Sequence, residues 1–181
     1  MTNDNKKILG EERRSLILQW LKVKKAPITG SALANKTNVS RQVIVQDISL
    51  LKARNEPIIA TSQGYFYFSP HDQENKVTRT IACLHRPEQT EEELNILVDH
   101  GVTVKDVSVE HPLYGDLTAS IMVSNRMDVE HFMNKLKQTN ATLLSQLTGG
   151  AHLHTIEGNS EAQLDEVCEA LQKAGFLIDA S

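Results

Sequence analysis

The chain has 181 residues, 40% of them hydrophobic and only 4% aromatic, so it can form one large or two small domains with aliphatic cores. No apolar run approaches the roughly 18–20 residues of a membrane helix, and no signal-peptide pattern opens the chain, so we expect no membrane partner. Two cysteines, Cys83 and Cys168, are too few for a disulfide framework. We therefore expect a reducing, cytoplasmic location.

The net charge of −4 is unevenly distributed along the chain. Residues 1–70 contain 11 Lys and Arg against 5 Asp and Glu, whereas residues 71–181 contain 8 against 18, together with all seven histidines. This asymmetry indicates a basic domain suited to a polyanion and an acidic, histidine-rich domain suited to a cation or a small ligand.

Hydrophobic periodicity predicts three helices in the basic half. Ser40 is an N-cap candidate for the third helix, and Pro27 ends the first. The predicted helices run from Glu11 to about Lys25, from Thr29 or Gly30 to about Asn38, and from Ser40 to about Arg54.

The third helix turns an apolar stripe, Ile44, Ile48 and Leu51, inward, and its opposite face is largely polar. In an isolated helix such a face would more often be only solvated. In a helix-turn-helix it enters the major groove, where Arg and Gln reach base edges and an exposed valine can contact a thymine methyl. The candidate DNA contacts are Ser40, Arg41, Gln42, Val45 and Gln46.

The segments Pro57–Ala60 and Tyr65–Phe68, on either side of a polar turn, predict a two-stranded hairpin. Three helices and a hairpin are the winged-helix plan. The stretch Val39–Leu51 resembles the helix-turn-helix of biotin-operon-repressor-like bacterial regulators, and Gly64-Tyr65 resembles their wing. The resemblance implies binding to double-stranded operator DNA, with Tyr65 as a further contact. The family often has glycine where this chain has Asn55, which tolerates the left-handed conformation.

A polar, proline-containing stretch without periodicity, Ser69–Lys76, separates the two halves. We assign residues 6–69 to the first domain, 70–76 to a linker and 77–181 to the second domain.

The second domain is predicted as β-α-β-β-α-β-α, so the whole chain is α+β, with a small antiparallel sheet that packs helices on one face. The predicted elements are Val77–His85 (strand), Glu91–His100 (helix), Val104–Glu110 and Leu117–Val123 (strands), Val129–Gln138 (helix), Ala151–Ile156 (strand) and Glu161–Ala174 (helix).

Two histidines, His152 and His154, share one face of the predicted last strand because strand side chains alternate. A transition-metal site needs three or four ligands, and His85 with a glutamate such as Glu93 could complete one. Each residue has another explanation. Thr90 and Glu93 have the spacing of a capping box, His85 can be an ordinary strand end, and Cys83 can be a rival ligand or a buried hydrophobe. The residues alone leave a metal site and a polar sheet face equally open.

This half resembles the 3H domain over roughly residues 77–175. The matching pieces are His85, Glu93, the turn Glu110–Gly115 and the segment Gly150–His154. The resemblance implies that His85, Glu93, His152 and His154 bind a divalent metal, either nickel or zinc.

A 3H domain behind a winged helix resembles the NiaR-type repressors of NAD biosynthesis and niacin uptake, which use nicotinic acid as corepressor. The resemblance implies a homodimeric, ligand-responsive repressor. A bound cation would attract the carboxylate of nicotinic acid into an otherwise acidic domain. His111 and Tyr114 are candidate ligand contacts, although Pro112 and Gly115 also mark their segment as a tight turn.

We do not expect an enzyme. A metal-dependent hydrolase would use a similar donor set to activate water, but the chain offers no evident separate general base. The nearest alternative is a metal-responsive repressor without a vitamin effector.

Overall fold

The computed structural model describes residues 8–69 and 75–178 and divides into two compact units, Met1–Asp72 and Gln73–Ser181. Most of the predicted linker, residues 70–74, lies outside the described residues, so its role stays a prediction. Within the described ranges, no helix is long and apolar enough to cross a membrane.

The first unit has the predicted order of three helices and a hairpin. Thr29 caps the second helix by accepting a hydrogen bond from the Ala32 amide at 3.1 Å, and Ser40 caps the third by accepting one from Val43 at 3.4 Å. The first helix ends two residues before the predicted Lys25. The elements are α1 (Gly10–Val23), α2 (Gly30–Thr37), α3 (Arg41–Ala53), β1 (Ile58–Thr61) and β2 (Gly64–Tyr67).

The core of this unit is aliphatic, and a buried ion pair ties α1 to α3. Arg13 Nε donates to Asp47 Oδ2 at 2.5 Å, and Arg14 Nη1 donates to the other carboxylate oxygen at 3.1 Å. The Arg13 side chain is buried although it is charged, because the Asp47 carboxylate neutralises it. The pair fixes α3 against α1.

The hairpin is anchored by a contact that the sequence did not predict. Tyr65 and Ile28 exchange two backbone hydrogen bonds, at 2.9 and 2.8 Å. Gly64 has a φ of 129°, and a Cβ there would lie 2.5 Å from the Ile28 carbonyl oxygen. Only glycine therefore allows the wing to approach this closely.

The second unit also has the predicted element order. Its four strands form an antiparallel sheet in the order β3-β6-β4-β5. The elements are β3 (Val77–Leu84), α4 (Thr90–Asp99), β4 (Thr103–His111), β5 (Gly115–Val123), α5 (Arg126–Thr139), β6 (Ala151–Gly158) and α6 (Glu161–Lys173), with short 3₁₀ helices at Pro87–Gln89 and Leu144–Thr148.

Most element boundaries of the second unit differ from the prediction by one to three residues. Helix α5 begins at Arg126 instead of Val129, because the Asn125 side chain accepts the Asp128 amide hydrogen at 3.0 Å and caps the helix earlier. Strand β6 continues to Gly158. Beyond α6 the chain pairs with the outer edge of β3, where Leu84 donates to Phe176 at 2.8 Å.

The three helices and one face of the sheet enclose a single aliphatic core. Because side chains alternate along β6, His152 and His154 point toward the same side as the core residue Ile156. The core residues include Ile81, Leu94, Leu97, Val104, Ile121, Val123, Ile156, Leu164, Val167 and Leu171.

The alternative explanation of Thr90 and Glu93 as a capping box is wrong. Thr90 is already helical and Gln89 holds the N-cap position, so the Thr90 side chain does not cap the helix. Thr90 Oγ1 is buried without a hydrogen-bond partner among the described residues. The preceding 3₁₀ helix leads the chain into α4, and the Glu93 carboxylate points into the domain instead of back to the helix end.

Candidate functional site

Four side chains from three elements converge inside the second unit. His85 follows the last residue of β3, Glu93 lies in the first turn of α4, and His152 and His154 lie on β6. All four are buried, with residue exposures between 1% and 7%. Antiparallel pairing of β3 with β6 brings the end of β3 beside His152, and the Glu93 side chain reaches the histidines from α4.

One carboxylate lies at the centre of the cluster. Glu93 Oε2 is 2.7 Å from His85 Nε2, and Glu93 Oε1 is 3.2 Å from His152 Nε2. Nε2 of His154 is 3.4 Å from Glu93 Oε2. The His152 ring packs edge-on against each of the other two rings, with centroids 4.9 and 4.8 Å apart.

The other ring nitrogen of each histidine faces a backbone carbonyl. Nδ1 of His85 lies 2.8 Å from the Arg86 oxygen, and Nδ1 of His152 lies 2.8 Å from the Gly150 oxygen. Nδ1 of His154 lies 2.7 Å from the Asp106 oxygen. A carbonyl can only accept, so each Nδ1 carries a proton, and in a neutral ring the Nε2 lone pair then points at Glu93.

The buried cluster requires positive charge at its centre. Burial opposes ionisation of Glu93, but hydrogen bonds from His152, His154 and His85 outweigh it and hold the pKa of this carboxyl well below its usual value. Burial likewise opposes protonation of His85 and His154, yet the carboxylate raises the pKa of both imidazoles. Without shared positive charge, three lone pairs and a carboxylate would repel one another.

This donor set fits a divalent transition metal. Two atoms that both bind one zinc ion, each at about 2.0–2.2 Å, lie roughly 3–3.5 Å from one another. The distances from His152 Nε2 and His154 Nε2 to the Glu93 carboxylate oxygens are close to this separation. Metal-bound histidines commonly donate their second N–H to a carbonyl, as all three rings do. His85, Glu93, His152 and His154 would therefore hold the ion with three nitrogens and a carboxylate oxygen.

Cys83 lies beside the cluster, opposite His152 in the strand register. Its sulfur, a Glu93 oxygen and a His152 ring nitrogen all lie within 4.8 Å of one another. Burial, and then the neighbouring Glu93 carboxylate, raise the pKa of the Cys83 thiol. Without a metal the thiol is therefore protonated, but a coordinating metal deprotonates a thiol, so Cys83 stays a rival ligand beside the three imidazoles.

Sequence reasoning missed the backbone groups that orient the rings. The carbonyls of Arg86 and Gly150 lie next to the ligands in the chain, but the carbonyl of Asp106 comes from β4, 48 residues away from His154. Asp106 follows an irregularity in the strand register. An aspartate inside a run of strand-forming residues is a signal for such an irregularity.

The turn residues His111 and Tyr114 lie together at the tip of the β4–β5 hairpin. Their ring centroids are 5.1 Å apart, and the Tyr114 side chain is exposed. His111 Nδ1 accepts hydrogen bonds from the amides of Leu113 and Tyr114 at 3.1 and 3.3 Å. His111 thus stabilises its own turn, and its role in ligand binding stays a prediction.

The first unit exposes most of the predicted DNA contacts on one face. Ser40, Arg41, Gln42 and Gln46 are exposed, and Val45 retains 41% of its accessible surface. Tyr65 differs from this group: its side chain is only 9% exposed and packs in the hydrophobic core. Little of the Tyr65 side chain is therefore accessible to DNA, and its role as a contact stays a prediction.

Comparison with known proteins identifies both units. The HTH domain family matches residues 13–66, and the 3H domain family matches residues 78–180. A protein named transcription repressor NadR, from Bacillus subtilis, is 60% identical over 173 residues, which cover 95% of this chain and 96% of that protein. The chain belongs to the NadR/NiaR family of transcription repressors.

A second member of this family is more distant. The probable transcription repressor NiaR of Thermotoga maritima is 39% identical over 173 residues, covering 96% of this chain and 97% of that protein. Both relatives are named as repressors and neither as an enzyme, which confirms the expectation that the chain is a regulator. The winged helix-turn-helix of a NadR/NiaR repressor is its DNA-binding part.

Proposed function

We propose that the chain represses transcription in response to nicotinic acid and controls genes of NAD biosynthesis or niacin uptake. In this proposal the second unit holds nickel or zinc, and the first unit reads operator DNA. The single observation that supports it most directly is the convergence of three histidine Nε2 atoms on the buried Glu93 carboxylate. Family membership with the two named repressors supports the DNA-binding part.

The metal would give an acidic unit an attraction for an anion. Residues 71–181 carry ten more acidic than basic side chains, so a nicotinate carboxylate approaching this unit meets a repulsive field. Three neutral imidazoles and one carboxylate around a divalent cation have a net charge of +1, which would attract the carboxylate locally. His85, Glu93, His152 and His154 would hold this charge in place.

The burial of the centre limits how the effector reaches it. The four side chains are 1–4% exposed, so they are shielded from solvent on all sides. Phe176 forms part of this cover, with its ring centroid 5.3 Å from that of His85. Coordination of nicotinate, either directly or through a metal-bound water, therefore requires a local opening of this cover.

DNA reading would use the exposed face of α3 in a homodimer. Arg41, Gln42 and Gln46 can donate to base edges, and Val45 can contact a thymine methyl. Two copies related by a two-fold axis would place their α3 helices about 34 Å apart, which matches successive major grooves on a palindromic operator. The effector would favour the dimer arrangement with this spacing.

A metal-responsive repressor without a vitamin effector is the second candidate. The burial of all four ligands favours it, because fully closed metal sites more often have a structural than a ligand-binding role. In that case the signal is the metal itself, and nicotinic acid would not bind.

Calorimetry distinguishes the two candidates. Nicotinic acid and nicotinamide, which lacks the carboxylate, should each be titrated into protein loaded with zinc or nickel and into protein treated with a chelator. The proposal predicts binding of nicotinic acid to the loaded protein only, and much weaker binding of nicotinamide. Equal binding of the two compounds would contradict the role of the cation, and binding of neither would favour the metal-responsive candidate.

A further inference from the structure

Strand β4 is irregular beside the metal centre. Val104 pairs with Ile156 of β6, whereas Asp106, two residues later, pairs with Thr155, only one residue earlier in β6. The extra residue, Lys105, makes this a β-bulge. Bulges redirect backbone and side-chain groups and recur next to functional sites.

The bulge gives Asp106 two separate bonds to β6. Its carboxylate oxygen Oδ1 accepts the Thr155 amide hydrogen at 3.1 Å. Its backbone carbonyl accepts from Nδ1 of His154 at 2.7 Å. In a regular ladder, strand carbonyls accept from amides of the neighbouring strand. At Asp106 the side chain takes the amide, and the carbonyl is available to the imidazole.

We infer that Asp106 is a positioning residue for the metal centre: its carboxylate holds the bulge, so that its carbonyl fixes His154 with the proton on Nδ1 and the lone pair on Nε2. The inference rests on the proposed metal-binding function and deepens it. Aspartate is among the poorest strand formers, so a residue such as valine would be preferred here if only the strand mattered. Valine would lack the side-chain oxygen that accepts the Thr155 amide hydrogen.

Two substitutions separate the acceptor from its charge. Asp106→Asn removes the negative charge but keeps an oxygen that accepts the Thr155 amide, whereas Asp106→Ala removes both. We expect zinc affinity, measured by competition with a chromophoric chelator, to fall about 10–100-fold in Asp106→Ala and to change by less than roughly threefold in Asp106→Asn. Asp116→Ala, which removes an exposed carboxylate from β5, is the matched control and should match the wild type.

Nuclear magnetic resonance of ¹⁵N-labelled histidine adds a readout that does not depend on affinity. In the zinc-loaded wild type, His154 should coordinate through Nε2 and carry its proton on Nδ1. In Asp106→Ala, the protein population with this arrangement should decrease. This spectrum of the wild type is informative even if Asp106→Ala fails to fold.

Three results would overturn the inference. The first is a zinc affinity of Asp106→Ala equal to that of the wild type. The second is an equal loss of zinc affinity in Asp106→Asn and Asp106→Ala, which would assign the effect to the charge of Asp106. The third is coordination of zinc by His154 through Nδ1. Failure of the wild type to bind zinc through the histidines would instead refute the proposed metal function. The two failures are therefore distinguishable.

Discussion

Replacing Gly150 by alanine should damage the proposed metal centre without changing any of its four proposed ligands. Gly150 has a φ of 106°, and a Cβ there would lie 2.5 Å from the carbonyl oxygen of His85. The Gly150 carbonyl also accepts the Nδ1 proton of His152 at 2.8 Å. A side chain at this position must push apart the two backbone segments that present His85 and His152.

The neighbouring Gly149 provides a control for backbone strain. Its φ of 66° is also left-handed, but among the described residues no atom lies within 4 Å of its would-be Cβ. A left-handed alanine costs roughly 1–2 kcal/mol, and forced overpacking adds about 1–3 kcal/mol. We therefore expect Gly149→Ala to lose about 1–2 kcal/mol of unfolding free energy and Gly150→Ala to lose about 2–5 kcal/mol.

Urea unfolding of the metal-free variants and a zinc competition titration would measure the two effects. Gly150→Ala should lose both stability and zinc affinity, because its His85 and His152 no longer face Glu93 at the present distances. Gly149→Ala should lose stability only. Equal behaviour of the two variants in both measurements would refute the role assigned to the close approach of Gly150.

Three further predictions concern the two sites. His152→Ala should lower the metal content of purified protein measured by elemental analysis. The control His131→Ala, on the exposed side of α5, should not lower it. Full metal content in His152→Ala would contradict the proposed site. Arg41→Ala should weaken operator binding by about 1–3 kcal/mol in an anisotropy titration. The control Lys173→Ala, which removes an exposed charge from the second unit, should leave operator affinity unchanged. An unaltered affinity of Arg41→Ala would remove Arg41 from the DNA contacts. Burial opposes protonation of His85 and His154, but the Glu93 carboxylate raises the pKa of both imidazoles. Protons would therefore compete with a bound metal for these nitrogens up to a higher pH than usual. Zinc affinity should therefore rise as pH rises through and above the ordinary histidine range near about 6.5, and a flat profile would argue against histidine ligands.

Local periodicity explains most of the fold that could be predicted. The spacing of Ile44, Ile48 and Leu51 indicated which face of α3 is buried, and all three are in the core. The features that the sequence did not reveal depend on distant partners. The bridge between Ile28 and Tyr65 involves single residues, which leave no period to detect.

The candidate site was only partly predictable for the same reason. The period of two along a strand placed His152 and His154 on one face, but it could not show what faces them. Glu93 could be explained as a metal ligand or as part of a capping box with Thr90, and its spacing from Thr90 alone was enough to account for a capping role. The choice depends on three histidines that reach Glu93 from elsewhere in the unit, and the 3H resemblance anticipated this convergence where the spacing could not.

Tyr65 shows a further limit of the sequence. The resemblance of Gly64-Tyr65 to the wing of the biotin-operon-repressor-like regulators suggested a DNA contact. The backbone pairing with Ile28 instead directs the ring into the core. Residue type and chain position do not reveal the direction of a side chain when a single long-range bridge determines it.

The central claim is that a metal-dependent effector site controls DNA binding. The most direct test measures the affinity of the protein for operator DNA by anisotropy, with and without nicotinic acid, on samples of defined metal content. The account predicts that nicotinic acid tightens operator binding about 5–150-fold in the metal-loaded protein and has no effect after chelation. An operator affinity that is the same with and without nicotinic acid in the loaded protein, or a response that survives removal of the metal, would contradict it.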